Sequence, residues 1–478
     1  MKSDNRMIMK KIILPIVSLF VFQCMFSQQI DQSVKTMIES ASTMIKSDPN
    51  GATLAFNQLL KGKNKKNTAI LVEIGRAYLN ADDLTNAELY VKKAKGVDNK
   101  KASVYLLSGD IYLKKADASN ASSEYSQAIY FDENCTEAYL KYAEVYKGVN
   151  PQLSIDMLEK LKVKTPEDTR VDKLMGDIYY SMGKYRQAID RYNVYMQNAD
   201  AAEADYAKYA TLLYLDKDYT KSQEVVQKGL ASFPKNHVLN RLSMYNFDEM
   251  KKYDEGIEAA KKFFSNSVDN DYVYLDYVYY GRLLASVKKY DEAIAEFDKA
   301  IKLEETPAEI LKEISDAYEK KHDYDNAISY YEKYLDKASK KDDATELFLF
   351  GRLNYYAASD SAYQAKQSVY LDNADKTFAK VAETAPDSYL GNFWRARTNS
   401  LKDPETTSGL AKPYYEAALN ILLNSSSTAK SQIIECESYL GYYYFVKGDN
   451  EQSKKYWNKI LEIDPQNGTA LKALKGIK

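Results

Sequence analysis

The chain has 478 residues with 66 basic and 68 acidic side chains, so it lacks the basic excess that marks nucleic-acid-binding proteins. Hydrophobic residues make up 45% of the chain, which excludes a disordered protein, and two histidines and three cysteines leave little material for a zinc site. The 10 prolines and 18 glycines are spread along the chain without a linker-like tract. This even composition favours an array of repeats over separate globular domains.

Residues 1–28 are predicted to be a signal peptide and not part of the fold. Lys10 and Lys11 supply a positive start, and the apolar stretch 12–22 follows them. That stretch is too short for a membrane-spanning helix, which needs roughly 20 apolar residues. An uncleaved anchor is the alternative.

The cleavage region is expected at Met25–Gln29, where the sequence turns small and polar. Cleavage is predicted after Ser27 or Gln28, and it would remove four basic residues and one acidic residue, changing the net charge from −2 to −5. The run Phe26-Ser27-Gln28-Gln29 resembles cleaved secretory signals of Bacteroidetes-type bacteria. This resemblance implies a mature protein in the periplasm of a Gram-negative cell.

The three cysteines bear on export and on disulfides. Cys24 could be the attachment site of a lipoprotein, but Gln23 and Val21 stand where such a signal prefers a small residue and a leucine, so lipid attachment is not expected. Cys135 and Cys436 lie far apart in the sequence. In a repeat array they would belong to distant repeats, so they are predicted to be buried thiols without a disulfide.

Three series of residues recur along the mature chain with a period near 34. The first series is mostly small: Gly75, Gly109, Ala143, Gly176, Ala210, Gly281 and Ser315, with Met244 as its one large member. The second series follows twelve residues later: Ala87, Ala121, Ala188, Ser222, Gly256, Ala293 and Ala327. The third series, four residues further on, is mostly large: Val91, Tyr125, Tyr192, Val226, Ala260, Phe297 and Tyr331.

These series predict a pair of helices in each repeat. Small residues of the first two series are expected where the two helices cross, for example Gly281 facing Ala293, because larger side chains would hold the backbones apart. Large residues at spacings of three and four would fill the gaps between helices. A proline closes several units by ending the second helix, at Pro166, Pro234, Pro386 and Pro465. Each pair leaves an apolar face uncovered, so repeats must stack.

The pattern resembles the tetratricopeptide repeat (TPR), a helix–turn–helix unit of 34 residues. The resemblance covers nearly the whole mature chain and implies an all-α TPR superhelical solenoid of about twelve repeats. Units are predicted to start near residues 34, 68, 102, 136, 169, 203, 237, 274, 308, 344, 389 and 434. Gly468–Lys475 is predicted to be a capping helix.

Two units depart from this spacing. Gly351 and Ala374 are separated by 23 positions where the pattern has twelve, which indicates an insertion around Ala357–Val369. A smaller insertion is expected around Asp403–Leu410. A break in the superhelix is placed there, with one array over 29–340 and a second over 341–478.

The 43 tyrosines have two interpretations. Those at recurring helix positions are expected to be packing residues: Tyr105, Tyr139, Tyr206, Tyr277, Tyr112, Tyr146, Tyr179, Tyr318 and Tyr444. Others fall on the first helix of a repeat, where the TPR resemblance implies a concave groove. The groove candidates for binding a partner are Arg76, Lys173, Asp177, Tyr180, Tyr214, Arg282, Arg352, Tyr355, Tyr356 and Tyr442. Tyrosine and arginine are enriched at interface hot spots, although a solvated surface remains an alternative at each position.

Binding of a C-terminal carboxylate, which is known for some TPR proteins, is not expected here. Some TPR proteins hold a C-terminal carboxylate in a clamp of lysine and asparagine. Here Lys173 is followed by Asp177 and Lys312 by Asp316, and an aspartate in the place of the asparagine would repel a carboxylate.

Enzymatic activity is not expected. The chain has no phosphate-binding loop, dinucleotide fingerprint or nucleophile elbow. His237 and His322 lie in different repeats, with His322 in a turn between helices, so a catalytic triad or metal site is not expected. No cofactor and no small-molecule substrate are predicted.

The leading functional hypothesis is a scaffold or adaptor of the bacterial cell envelope that binds peptide-like or extended segments of other envelope proteins. The alternative is a structural subunit of a membrane-associated assembly, secretion or TonB-type energy-transducing machine, to which exported TPR proteins of Bacteroidetes point by resemblance. Asp360-Ser361-Ala362 in the first insertion also resembles a short O-glycosylation site of such proteins, so Ser361 is a candidate for modification.

Overall fold

The computed structural model describes residues 30–197, 201–266, 272–303, 307–425 and 429–477. The predicted signal peptide and Cys24 lie outside these ranges. Within them the chain contains 25 α-helices, two short 3-10 helices and no strand. The predicted all-α class with its paired helices is therefore confirmed.

The helices are, in chain order, α1 (Gln32–Met44), α2 (Pro49–Leu59), α3 (Thr68–Asn80), α4 (Leu84–Val97), α5 (Ala102–Lys114), α6 (Ala118–Phe131), α7 (Thr136–Tyr146), α8 (Pro151–Lys164), α9 (Thr169–Ser181), α10 (Tyr185–Tyr195), α11 (Glu203–Leu215), α12 (Tyr219–Ser232), α13 (His237–Glu249), α14 (Tyr253–Asn266), α15 (Tyr274–Ser286), α16 (Tyr290–Leu303), α17 (Ala308–Lys320), α18 (Tyr324–Lys337), α19 (Ala344–Ser359), α20 (Gln367–Thr384), α21 (Leu390–Lys402), α22 (Lys412–Asn424), α23 (Lys430–Val446), α24 (Asn450–Ile463) and α25 (Gly468–Gly476). The 3-10 helices are Gly62–Lys66 and Ser361–Lys366. Below, the odd-numbered helices α1 to α23 are called A helices, and the even-numbered helices α2 to α24 are called B helices.

The chain divides into two compact units between Asp218 and Tyr219. The first contains five A–B pairs, α1 to α10, followed by α11. The second contains α12, six pairs from α13 to α24, and α25, which is the predicted capping helix. The domain boundary predicted near residue 340 stays a prediction, and one buried cluster includes residues from both sides of it, from Leu311 to Leu371.

The predicted repeat starts agree closely with the first residues of the A helices. Eight predicted starts, from residue 68 to residue 308, coincide with the first residues of α3, α5, α7, α9, α11, α13, α15 and α17. Several of these ends are fixed by side chains that accept backbone N–H groups. Asn67 Oδ1 accepts from Ala69 at 3.0 Å, and Asn236 Oδ1 accepts from Leu239 at 2.8 Å. Such caps satisfy donors that the helix leaves open.

Small residues and an aromatic ring meet where the A and B helices of a repeat cross. A Cβ atom added at Gly281 would lie 2.5 Å from the ring of Phe297, so the ring leaves no room for a side chain there. A Cβ atom added at Gly176 would lie 3.5 Å from the carbonyl oxygen of Ala188, which belongs to the second series. The first and second series therefore face each other in that repeat, as predicted, while the facing of Gly281 and Ala293 stays a prediction.

The turn between the two helices of a repeat recurs in an unexpected conformation. A residue with positive φ follows many A helices: Asp82, Ala116, Gly183, Lys217, Lys251, Lys288, His322 and Gly448. Left-handed residues commonly close α-helices, but most of these are not glycine. His322 is exposed in such a turn, as predicted, and its Nδ1 lies 3.1 Å from Asp360 Oδ2.

Both predicted insertions alter a repeat locally. The first lengthens α19 to 16 residues and α20 to 18 residues, and the 3-10 helix Ser361–Lys366 joins them. The second forms a loop between α21 and α22 that is held by the buried Asp403. Its carboxylate accepts backbone N–H groups from Ser408 at 3.0 Å and from Gly409 at 2.7 Å. These hydrogen bonds lower the pKa of Asp403 against the effect of burial.

The two remaining cysteines agree with the prediction. Cys135 and Cys436 are both buried, and neither forms a disulfide. Burial raises the pKa of the Cys436 thiol, so this side chain is an apolar packing group and not a reactive thiolate.

Candidate functional site on the A helices

Consecutive A helices are tied to one another by ion pairs. In the first unit, Arg76 of α3 pairs with Asp110 of α5 at 3.0 Å, and Lys141 of α7 reaches the same carboxylate at 2.7 Å. Arg170 of α9 pairs with Glu137 of α7 at 2.6 Å. Two further pairs join α9 and α11: Lys173 with Asp205, and Lys208 with Asp177.

The second unit repeats this arrangement with different residues. The pairs are Arg241 of α13 with Asp276 of α15, Arg282 of α15 with Glu313 of α17, Lys312 of α17 with Glu346 of α19, and Arg397 of α21 with Glu435 of α23. Most carboxylates of these pairs are more buried than their cations. Isolated buried charges are costly, so each pair fixes the neighbouring helix at one position.

Tyrosine hydroxyls complete several of these pairs. Tyr125 donates to Asp110 Oδ1 at 2.8 Å, Tyr192 to Asp177 Oδ1 at 2.7 Å and Tyr331 to Glu346 Oε2 at 2.7 Å. These three tyrosines belong to the third series and are buried. Burial and the adjacent carboxylate raise the pKa of each hydroxyl, so it remains a donor at neutral pH.

The tyrosines predicted to pack are buried to different extents. Tyr139 and Tyr179 are buried, whereas Tyr105, Tyr206, Tyr277, Tyr112, Tyr146, Tyr318 and Tyr444 are half-buried. The most deeply buried rings are instead third-series residues such as Tyr125 and Tyr192. The sequence signal for this role was the small residue that precedes each ring by 16 positions.

Four predicted groove residues are engaged within the protein. Arg76, Lys173, Asp177 and Arg282 all belong to the ion pairs between A helices. Lys312, which was considered as a clamp residue, pairs with Glu346 at 2.7 Å. The charges that would make a clamp are therefore used to position neighbouring repeats.

Two predicted tyrosines are exposed on A helices, and a third is half-buried. Tyr180 of α9 is 37% exposed and Tyr442 of α23 is 43% exposed. The Tyr180 ring lies 6.2 Å from the ring of Tyr185. Tyr214 of α11 is half-buried.

The remaining predicted residues, Arg352, Tyr355 and Tyr356, come together on α19 beside Trp394 of α21. Arg352 Nη2 donates to the Tyr356 hydroxyl at 2.8 Å. Its guanidinium lies 5.5 Å from the Trp394 ring, within reach of a cation–π interaction. The Tyr355 ring lies 5.3 Å from the same indole. This group, Arg352, Tyr355, Tyr356 and Trp394, is called the Arg352 cluster below. The sequence analysis missed Trp394.

An open cavity of about 480 Å³ surrounds Arg282 in the second unit. Four carboxylates line it: Asp248, Glu249, Glu313 and Asp316. Burial and the neighbouring carboxylates raise the pKa of Asp248 to about 6. The pKa of Asp316 is also raised to about 6 by the same causes, although part of its side chain is exposed to solvent. In the first unit, a cavity of about 670 Å³ lies beside Asp110 and Lys141. Sequence analysis identified neither cavity, because both are made by residues of successive repeats.

The described ranges also bear on metal binding and on membrane insertion. No group of three or more histidine, cysteine, aspartate or glutamate side chains there is placed to hold a metal ion. None of the helices that the structure describes is both long and apolar enough to cross a membrane.

Comparison with known proteins supports the repeat assignment. Residues 281–342, 102–135 and 440–467 match models of the tetratricopeptide repeat. The chain is 22% identical over 335 residues to the TPR repeat-containing protein MJ1428 of Methanocaldococcus jannaschii, a match that covers 66% of this chain and 54% of that protein. The chain thus spans about half the length of this relative.

Parts of this chain are also similar to solved structures. The C-terminal part of a TPR repeat-containing protein from Cytophaga hutchinsonii is 28% identical, with a TM-score of 0.48, over 56% of this chain and 99% of that one. A tetratricopeptide repeat protein from Parabacteroides merdae is 16% identical, with a TM-score of 0.35, over 52% and 98% of the two chains. TPR proteins generally act as non-enzymatic protein-interaction scaffolds. From the matched segments and the helix pairs, this chain carries tetratricopeptide repeats.

Proposed function

We propose that this protein is an exported scaffold of the cell envelope that binds extended segments of partner proteins along its A helices. The observation that carries the proposal is the set of aromatic and arginine side chains left on these helices, namely Tyr180, Tyr442 and the Arg352 cluster. Such side chains provide large contact areas with little loss of conformational freedom.

The ion pairs between A helices support this proposal in a second way. They hold the exposed rings on helices whose spacing is fixed by half-buried charges. A surface that is rigid before binding loses less entropy on binding an extended segment. The predicted signal peptide supports the location in the envelope, and the cleaved chain would act in the periplasm.

Capture of partners from detergent-solubilised envelope, with the mature chain as bait, tests the proposal. Replacing Tyr180 and Tyr442 by alanine is expected to weaken capture, by roughly 1–4 kcal/mol if they are hot spots. The matched control is Tyr130→Ala, which removes a tyrosine that is 78% exposed on the B helix α6. Equal capture by both variants and wild type, with unchanged melting, would reject binding along the A helices.

A further inference from the structure

The series of ion pairs between A helices has one gap. In the described ranges, an ion pair joins every two consecutive A helices from α3 to α11 in the first unit and from α13 to α23 in the second, except α19 and α21. Arg352 lies on α19 at this step, and no acidic side chain of the described ranges pairs with it.

Comparison with the repeat that contains Arg282 shows what is different. Gly281-Arg282 and Gly351-Arg352 occupy the same place, because each glycine lies against a phenylalanine ring of its B helix, Phe297 or Phe378. Arg282 Nε donates to Glu313 Oε2 at 2.8 Å, and Glu313 precedes the first-series residue Ser315 by two. In the corresponding repeat, the residue two before the buried Ala396 is Trp394. Trp394 therefore stands at the position that Glu313 has in the repeat after Arg282.

Arg352 is held in place by its neighbours, but not all of its N–H groups have a hydrogen-bond acceptor. Its Nη2 bonds to the Tyr356 hydroxyl, whereas its Nε is buried without an acceptor. Phe348, Tyr356 and Trp394 rings surround the guanidinium at 5.8, 5.3 and 5.5 Å. A buried donor without a partner is costly, and aromatic walls lower the local dielectric, which strengthens attraction for an anion.

A second arginine beside Trp394 shows the completed arrangement. The Arg397 guanidinium lies 4.9 Å from the same indole ring. It forms two hydrogen bonds with the Glu435 carboxylate, Nε to Oε1 at 2.7 Å and Nη2 to Oε2 at 2.6 Å. Trp394 thus lies beside an arginine that has its carboxylate and beside one that has none.

We infer that Arg352 binds the side-chain carboxylate of an aspartate or glutamate in an extended segment of a partner protein, with Trp394 and Tyr355 packing against that segment. This inference rests on the proposed function and names the chemistry of one contact within it. We infer a side-chain carboxylate and not a C-terminal one, because glutamate side chains form the ion pairs between the neighbouring A helices. These pairs are Lys312 with Glu346 between α17 and α19, and Arg397 with Glu435 between α21 and α23. The carboxylate completes the series of ion pairs at its gap.

The test uses three peptide libraries on the immobilised mature chain. Each peptide has four randomised uncharged residues on each side of a fixed centre. The first library has central glutamate and blocked termini, the second has central glutamine and blocked termini, and the third has central glutamine and a free C-terminal carboxylate. Retained peptides are counted by mass spectrometry. Glutamate-centred peptides are expected to be enriched roughly 10- to 100-fold over the blocked glutamine library, the range for a hydrogen-bonded charge.

Two variants assign this preference to Arg352. Arg352→Gln is expected to abolish it, whereas Arg282→Gln, which removes the paired arginine of an equivalent repeat, is expected to retain it. Trp394→Glu should supply a carboxylate within the protein and thereby abolish the preference, whereas Trp394→Gln, which removes the same indole without adding a charge, should keep it. Circular dichroism melting of each variant establishes that it is folded.

The outcomes separate this inference from the proposed function. Equal enrichment of the glutamate and glutamine libraries, or a preference that Arg352→Gln keeps, overturns the role of Arg352. Preference for the free-terminus library overturns the choice of a side chain. In each case the proposed function stands if Tyr180 and Tyr442 are still required for capture from the envelope, and falls if they are not.

Discussion

The repeat α15/α16 and the repeat α19/α20 are alike where their helices cross and different on the surface of their A helices. In both, a glycine lies against a phenylalanine ring, Gly281 on Phe297 and Gly351 on Phe378. The arginine after each glycine has a different neighbour, a carboxylate in the first repeat and an indole in the second. These two repeats thus share the packing of a glycine against a phenylalanine, while the adjacent surface position differs in its chemistry.

The largest expected effect tests the shared part of this comparison. Gly281→Leu and Gly351→Leu are each expected to lower the free energy of unfolding by about 1–3 kcal/mol, because even a Cβ atom would lie 2.5 or 2.6 Å from a ring carbon. Thermal unfolding followed by calorimetry measures it, and a broad or multi-step transition is expected of a repeat protein.

The control for this prediction is Gly96→Ala. Gly96 lies on α4 with no atom within 4 Å of its added Cβ, so alanine should raise stability by about 0.5–1 kcal/mol through its better helix propensity. Melting of either leucine variant at the wild-type temperature would show that the ring can move away, and the shared crossing would not be a constraint.

The second prediction tests the difference between the two arginines. Arg282→Met leaves the partly buried Glu313 without its cation and is expected to cost about 1–2 kcal/mol. Arg352→Met leaves no acidic partner behind and also removes a buried unbonded N–H, so a change within about 0.5 kcal/mol is expected. Denaturant unfolding of the two variants provides the measurement. Equal losses would mean that Arg352 stabilises the fold as Arg282 does.

How much of this could be predicted from the sequence depends on which residues determine each feature. The A-helix starts from residue 68 to residue 308 were predictable, because small residues recur at a fixed spacing and each acts within its own repeat. The ion pairs were not, because Arg76 and Asp110 are 34 residues apart and their contact depends on how repeats stack. Trp394 was missed for the same reason.

Other features could not be predicted because the residues that form them are not typical of the conformation they adopt. Lysine and histidine at left-handed turn positions, such as Lys251 and His322, carry no sequence signal of that conformation, which glycine would have given. The insertion at 357–369 was found from its length, but the sequence did not show that its ends would lengthen α19 and α20 and that its middle would form a 3-10 helix. The exposure of Tyr180 and Tyr442 agrees with their assignment to a surface, although their role in binding stays a prediction.

The third prediction uses the raised pKa of Asp248 in the cavity around Arg282. Because its pKa is about 6 in the folded protein and 3.8 ordinarily, the folded state binds more protons between these values, and stability from this group falls as pH rises from about 4 to 6. Asp248→Asn removes this dependence. The melting temperature of the variant relative to wild type should therefore be higher at pH 7.5 than at pH 4.5, by the equivalent of about 1 kcal/mol.

The control for this prediction is a carboxylate in the repeat α19/α20. Asp375→Asn removes a carboxylate that pairs with Arg395 at 3.0 Å, so it is the control for the loss of a paired carboxylate. If the difference between Asp248→Asn and wild type were the same at both pH values, burial would not govern Asp248, and the cavity would be open to solvent on all sides.

The smallest effect concerns the turns that close the two A helices. The repeat α15/α16 turns through Lys288 at a φ of 65°, whereas no residue of the described segment 357–369 has a positive φ. Lys288→Gly is expected to stabilise the turn by a few tenths of a kcal/mol, because relief of the left-handed strain of about 1 kcal/mol slightly exceeds the entropy that glycine loses on folding. Gly183→Ala, at an equivalent turn with a φ of 70°, should cost about 0.5 kcal/mol for the opposite reason.

Hydrogen exchange of the last amides of α15 and α9 reports these local changes, which a global melt would average over many repeats. Lys289→Gly, one residue further and outside the positive-φ set, should lower protection. If Lys288→Gly lowered it equally, glycine entropy alone would decide the turn, and strain would not distinguish this repeat from the one with the insertion.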